Sequence, residues 1–169
     1  MLRRQMLLGA SAAATLGGCG MSAAPSKFQT YSGPEVTFIV VNKASRRMFL
    51  LHHDTILKSY PIHLGFAPVG HKVFEGDGRT PEGVYYIDRL NPKSAFHLSL
   101  GISYPNARDV AAAEAIGKKP GGDIFIHGQK DPRKRDKKDW TWGCISVTNT
   151  QIQEIFAMVR RGTPISINP

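Results

Sequence analysis

Asp139-Trp140-Thr141-Trp142-Gly143-Cys144-Ile145-Ser146-Val147-Thr148 sets a cysteine directly after a glycine, at the head of a short apolar run. The chain has 169 residues and two cysteines. The other, Cys19, ends an N-terminal leader, so Cys144 is the single thiol of the body. A lone cysteine in an exported domain allows three readings: an intermolecular disulfide, an idle buried thiol or a reactive nucleophile. Its neighbourhood favours the third. Upstream, Ile124-Phe125-Ile126-His127-Gly128 closes a strand-like run with an imidazole. A cysteine nucleophile reacts as the thiolate and needs a base nearby. His127 can accept the thiol proton and later return one to a leaving amine. Gly143 has no Cβ, so the backbone N–H groups of Gly143 and Cys144 can approach a reacting carbonyl as oxyanion donors.

The first residues have a different job. Arg3 and Arg4 precede an apolar stretch from Met6 to Leu16, and Gly17-Gly18 then lead to Cys19. Positive region, apolar core and small residues, in that order, make residues 1–18 an export signal. The apolar stretch is short of the roughly twenty residues that span a bilayer. Leu16-Gly17-Gly18-Cys19 resembles a bacterial lipobox, which makes Cys19 the expected lipidation site. Arg3-Arg4-Gln5-Met6-Leu7-Leu8 resembles a twin-arginine signal. The expected location is periplasmic, held to a membrane through the lipid. Residues 19–34 are small, polar and proline-bearing and read as a lipid-anchored tether. Residues 35–169 are long enough for one domain with its own core.

That body reads as mainly β with minor α. Glu35 to Asn42 is β-branched and apolar, Arg46 to His52 is its hairpin partner, and Thr55 to Leu64 is a third strand with Pro61 marking an edge. Residues 65–83 form a long Gly- and Pro-rich loop, a length usually reserved for function or mobility. Val84 to Asp88, Phe96 to Leu100, Asp123 to His127 and Thr163 to Asn168 are further strands. A short helix is expected over Asp109 to Ile116, with Asp109 as N-cap and Gly117 as its stop. A longer one runs from a Thr148 or Asn149 cap to Arg161. Its Ile152, Ile155, Phe156 and Val159 follow helical spacing, and Arg160 and Arg161 suit its C-terminal dipole.

The run from His127 through a polar loop to Thr141-Trp142-Gly143-Cys144 resembles the signature of the L,D-transpeptidase (YkuD-like) catalytic domain. Gly65-Phe-Ala-Pro-Val-Gly-His71, Gly76-Asp-Gly-Arg-Thr-Pro-Glu-Gly83 and His97-Leu-Ser-Leu-Gly-Ile-Ser-Tyr-Pro-Asn106 are similar to that family too. The resemblance implies a β-sandwich or barrel-like core with one packed helix and a long active-site loop. It implies a cell-wall transferase in which Cys144 attacks a stem-peptide carbonyl and expels D-alanine. The resulting thioester passes to an amine, while water as acceptor gives a hydrolase. No cofactor is implied. Two departures stand out: Trp142 occupies a position where most members have histidine, and Ser146 one where many have arginine or asparagine. A related branch without that histidine includes an enzyme that detaches murein-attached lipoprotein. Hydrolysis of stem-peptide or protein linkages is therefore the alternative activity, and a wall-binding module without turnover is the non-enzymatic one.

Arg79, Tyr104, Asn106, Thr141 and Trp142 are the candidates for holding a stem peptide. The remaining histidines show no metal-ligand spacing, and no phosphate-loop order is present; His71 and His97 lie in family-like segments and are candidates for the cleft. The net charge is +9. Much of it sits in Lys130-Asp-Pro-Arg-Lys-Arg-Asp-Lys-Lys138, which joins the two catalytic segments and reads as a cleft wall or lid suited to anionic wall polymers. Export argues against nucleic acid as its partner.

Overall fold

A computed structural model describes residues 26–131 and 138–169. The export signal, Cys19, residues 20–25 of the tether and residues 132–137 of the basic run lie outside the described residues, so the lipidation and lid expectations fall there.

Eight strands form one sheet: β1 (Phe38–Asn42), β2 (Arg47–His52), β3 (Thr55–Pro61), β4 (Gly83–Asn91), β5 (Ser99–Ile102), β6 (Phe125–His127), β7 (Ile145–Ser146) and β8 (Pro164–Asn168). Two helices complete it, α1 (Ala107–Glu114) and α2 (Asn149–Met158). Period-two burial in β1 and β8 shows why these segments are strands. Ile39, Val41, Ile165 and Ile167 alternate into the core, joined by Met48, Leu50, Ile87, Leu100 and Ile126. From α2, Ile152 and Ile155 are fully buried against this face.

The spatial order is β3-β2-β1-β8-β4-β5-β6-β7. β3 is an edge, as Pro61 implied. The C-terminal β8 lies between β1, its parallel partner, and β4, its antiparallel one. β4 turns the sheet: its first half pairs with β8 and its second with β5, across a register irregularity between Ile87 and Arg89. The curl brings the two edges together. His63, just beyond β3, exchanges backbone bonds of 2.9 and 2.8 Å with Ser146 of β7. This is the barrel-like form of the expected core rather than two facing sheets.

Three local expectations change. The N-cap of α1 is Asn106, whose side chain accepts from the backbone of Arg108 and Asp109; Asp109 is the reciprocal third position of a capping box. Helix α2 starts at its Thr148 cap but stops at Met158, because Val159 is extended and fully buried. Arg160 still serves that helix end, donating to the carbonyl of Ala157 at 3.0 Å. The described part of the tether lies against the body: Lys27 Nζ donates to Pro92 O and His97 O, and Phe28 packs on Phe156.

The loop over residues 65–83 is laced down by two buried lysines. Lys43 Nζ meets Glu82 at 2.7 Å and the carbonyls of Gly70 and Thr80. Lys72 Nζ meets Asp77 at 2.9 Å and the carbonyl of Phe74. Asp77 also accepts from the amides of Val73, Phe74 and Arg79. Burial works to raise its carboxyl, yet these bonds win and hold it below the ordinary value.

Candidate active site

β6 and the turn before β7 bring His127 and Cys144 to one cleft of about 310 Å³, shared with Asn91, Ser99, Phe96, Asp123 and Phe125. His127 is 4% exposed and its position is fixed from three sides. Phe96 lies over the ring at 4.6 Å between centroids, and Trp140 meets it edge-on at 5.6 Å. The third contact decides its chemistry. Nδ1 is 2.6 Å from the carbonyl oxygen of Gly128. A carbonyl can only accept, so Nδ1 carries the proton and Nε2 keeps the basic lone pair.

Cys144 sits on a turn pinned at both ends. Asp139 accepts from Nε and Nη2 of Arg46 and from the amide of Leu64. Burial would raise this carboxyl, but the Arg46 and Leu64 bonds hold it below the ordinary range. Thr141 pairs with the strand segment after His63: its amide donates to Leu64 O, and its carbonyl accepts from Phe66. The Thr141 hydroxyl then staples the turn, donating to Cys144 O at 2.7 Å and accepting from the Gly143 amide at 3.2 Å. Gly143 has φ +124°, and a Cβ there would stand 2.5 Å from Arg79 O. Only glycine fits this conformation and this close approach.

The two amides expected as oxyanion donors are engaged differently. The Gly143 amide is turned inward to Thr141, while the Cys144 amide has no hydrogen-bond partner among the described residues.

The thiol is shifted toward its neutral form. Burial pushes it above the ordinary thiol value, and the nearby Asp123 adds to that. The Phe125 amide, donating to Sγ at 3.4 Å, and Lys72 pull the other way without reversing it. Sγ–H in turn points to Asp123 O at 3.5 Å. A thiol shifted this way needs a base at the moment of attack.

On its other side Cys144 opens into a second cleft of about 500 Å³, with Lys72, Glu75, Gly121, Gly122, Asp123 and Trp142 in its walls. Trp142 is 71% exposed and rests edge-on against Phe66 at 4.9 Å. Of the substrate-holding candidates, it alone stands in a cleft with Cys144. Thr141 is buried in the turn. Arg79 contributes its backbone carbonyl behind Gly143, and its guanidinium lies near Gly70. Tyr104 is buried with its hydroxyl on Pro120 O, because it packs in the core against Tyr85. Asn106 is used as the helix cap and borders a separate groove between β4 and α1, along with His71. His97 sits behind the Phe96 wall, its Nε2 2.9 Å from Gln153 Nε2. Missed from sequence were the Gly128 carbonyl, the Phe96 and Trp140 walls, the Phe125 amide and Ser99. Ser99 and Trp140 lay inside family-like segments, which was the usable signal for them. Among the described residues no group of three His, Cys, Asp or Glu side chains is placed to hold a metal.

Comparison with known proteins finds relatives in both sequence and fold. The family model for the L,D-transpeptidase catalytic domain matches residues 36–167. The putative L,D-transpeptidase YafK of Escherichia coli K12 is 33% identical over 106 residues, 62% of this chain and 37% of its own. Among solved structures, the helical cell shape determining protein Pgp2 of Campylobacter jejuni superimposes with a TM-score of 0.61 at 28% identity, covering 81% of this chain and 49% of Pgp2. Bd1075 of Bdellovibrio bacteriovorus gives 0.56 at 26%, covering 79% of this chain and 48% of its own. The chain thus spans about half the length of these structures and a little over a third of the curated relative.

Proposed function

This chain belongs to the L,D-transpeptidase catalytic-domain family, and on that basis we propose that it transfers peptidoglycan stem peptides through a thioester on Cys144. One observation carries the reading: His127, with Nδ1 bonded to Gly128 O, lines the same cleft as Cys144. Nε2 takes the Sγ proton as the sulfur attacks the carbonyl of meso-diaminopimelate. The oxyanion of the tetrahedral intermediate receives the Cys144 N–H. His127 then gives its proton to the departing D-alanine nitrogen, leaving a thioester and a neutral imidazole. An amine attacks next and loses a proton to His127, and the sulfur leaves and recovers it. Water in the amine's place gives hydrolysis.

Muropeptide analysis by mass spectrometry tests this on purified sacculi. New cross-links between two diaminopimelate residues, or D-amino acid exchange products, support transfer. Shortened stem peptides or released lipoprotein alone move the activity to hydrolysis, and binding without product removes the enzyme reading.

The same proposal puts the enzyme in the periplasm, exported by residues 1–18 and anchored through lipid on Cys19. Palmitate labelling that survives Cys19→Ser contradicts the anchor. The similarity to Pgp2, a helical cell shape determinant, supports cell-wall remodelling and cell shape as the physiological role.

A further inference from the structure

We propose that Arg89 is a positioning residue for the nucleophile: its guanidinium clasps Asp123 and Phe125, the two residues whose backbone atoms hold the Cys144 thiol. The inference rests on the Cys144–His127 reading above and adds a control on its sulfur. Arg89 in β4 stands opposite Gly101 in β5, and Gly101 stands opposite Phe125 in β6. This row runs beside that of Asn91, Ser99 and His127, two residues along each strand, so both lie on the cleft face. Gly101 lets Arg89 cross between the strands. A Cβ there would stand 2.6 Å from Cγ and 2.9 Å from Nε of Arg89, and 2.3 Å from Asp88 Oδ1. Gly101 does not have a positive φ, so the side chains above it, not its backbone, exclude a larger residue.

Beyond Gly101 the guanidinium carbon lies 4.6 Å over the Phe125 ring, and Nη2 donates to Asp123 Oδ1 at 2.9 Å. Nη1 donates to Asp88 Oδ2 at 3.4 Å. The clasped residues are the ones that touch the sulfur. Sγ–H points to Asp123 O at 3.5 Å, and the Phe125 amide donates to Sγ at 3.4 Å. Asp123 sits in the left-handed region at φ +53°, which few non-glycine residues occupy and which the Arg89 bond helps to hold. The clasp also balances charge. Asp123 and Lys72 are the charged groups that act on the thiol, with Glu75 in the wall of the larger cleft and His127 in that of the smaller. Arg89 offsets Asp123, whose bare carboxylate would oppose formation of the thiolate. The ion pair is exposed, 46% at Arg89 and 88% at Asp123, so it contributes little to stability. Its use is to set two backbone groups on the sulfur and to neutralise one charge beside it.

The test follows alkylation of Cys144 by iodoacetamide against pH in the purified protein, read by peptide mapping so that Cys19 does not count. D-Alanine release from a disaccharide tetrapeptide gives kcat and KM beside it. Arg89→Met keeps the apolar contact with Phe125 and removes the charge. Its alkylation at neutral pH should be about three- to tenfold slower, the change in thiolate fraction from a rise of roughly half to one pKa unit. Its kcat should fall about tenfold while KM stays within about twofold, and its melting temperature should stay within about 3 °C of wild type. Arg89→Lys, which keeps the charge, should recover part of both rates. Adding Asp123→Asn to Arg89→Met should restore most of the alkylation rate, because the carboxylate that Arg89 offsets is then gone. Wild-type alkylation and kcat in Arg89→Met overturn the inference. A rise in KM alone overturns it by making Arg89 a substrate contact, and a collapse of the melting temperature does so by making it structural. A double variant as slow as Arg89→Met also overturns it. A wild type that releases no D-alanine overturns the transfer reading instead, and the alkylation series then still decides the clasp.

Discussion

Replacing Thr141 by valine keeps the shape of the side chain and removes the hydroxyl that staples the nucleophile turn. Two hydrogen bonds go: the 2.7 Å bond to Cys144 O and the 3.2 Å bond from the Gly143 amide. Each is worth about 1 kcal/mol net, and a buried group left without a partner costs about 1–3 kcal/mol. Thr141 is buried, so water does not replace the hydroxyl. The expected loss is about 2–4 kcal/mol, inside the roughly 5–15 kcal/mol by which domains are stable, so the variant still folds. Activity should fall further than stability suggests. The same hydroxyl turns the Gly143 amide inward and fixes the direction of the Cys144 N–H, and a displacement near 1 Å at a reacting centre costs roughly a hundredfold. Thr141→Ser keeps both bonds and is the control. Urea unfolding followed by tryptophan fluorescence gives the stability, and D-alanine release gives the activity. The reasoning is refuted if Thr141→Val unfolds within about 0.5 kcal/mol of wild type, a difference typical of an inert surface change, or if Thr141→Ser is as damaged as Thr141→Val.

Gly143→Ala meets both the positive φ and the Arg79 carbonyl; we expect more than about 2 kcal/mol of destabilisation or a distorted, inactive turn, measured by the same unfolding and release assays. Asp77 has its carboxyl held below the ordinary 3.8 in the folded chain. Its stabilising contribution is complete above that value and drains away as pH falls through 3.8 toward the lower folded value. Asp77→Asn should therefore lower the melting temperature at neutral pH and flatten its decline below pH 4; an acid limb parallel to wild type would contradict this. The Cys144 thiol, raised by burial, acts oppositely: the folded state keeps its proton while the unfolded chain loses it, so stability falls as pH rises past the ordinary thiol value of 9.0. Cys144→Ala should remove that alkaline component from thermal unfolding curves.

Local chemistry was legible in the chain, and long-range pairing was not. The β1–β2 hairpin, the Pro61 edge strand, the Thr148 cap and the meeting of Cys144 and His127 in one cleft each follow from residues near one another or from a recognisable motif. The insertion of β8 between β1 and β4 depends on contacts 78 to 126 residues apart, for which alternation in either strand says nothing about the neighbour. The His63–Ser146 closure is similar: it is made by backbone atoms that every sequence has. The same limit hid the group that orients His127, since a carbonyl leaves no mark on residue identity. Asn106 and Asp109 exchanged roles because both are good capping residues three positions apart, and only the backbone dihedrals tell cap from third position. Tyr104 and Arg79 were chosen for their chemistry, but burial claims the first and the turn around Gly143 uses only the backbone of the second.

The central claim is that Cys144 becomes acylated with His127 as its base. Incubating the protein with a disaccharide tetrapeptide, quenching in acid and mapping peptides by mass spectrometry tests it directly. The account predicts an adduct of donor minus D-alanine on the peptide containing Cys144, labile to hydroxylamine, strongly reduced in His127→Ala and absent in Cys144→Ala. An adduct on any other residue, or product formation that persists at the wild-type rate in Cys144→Ala, would contradict it.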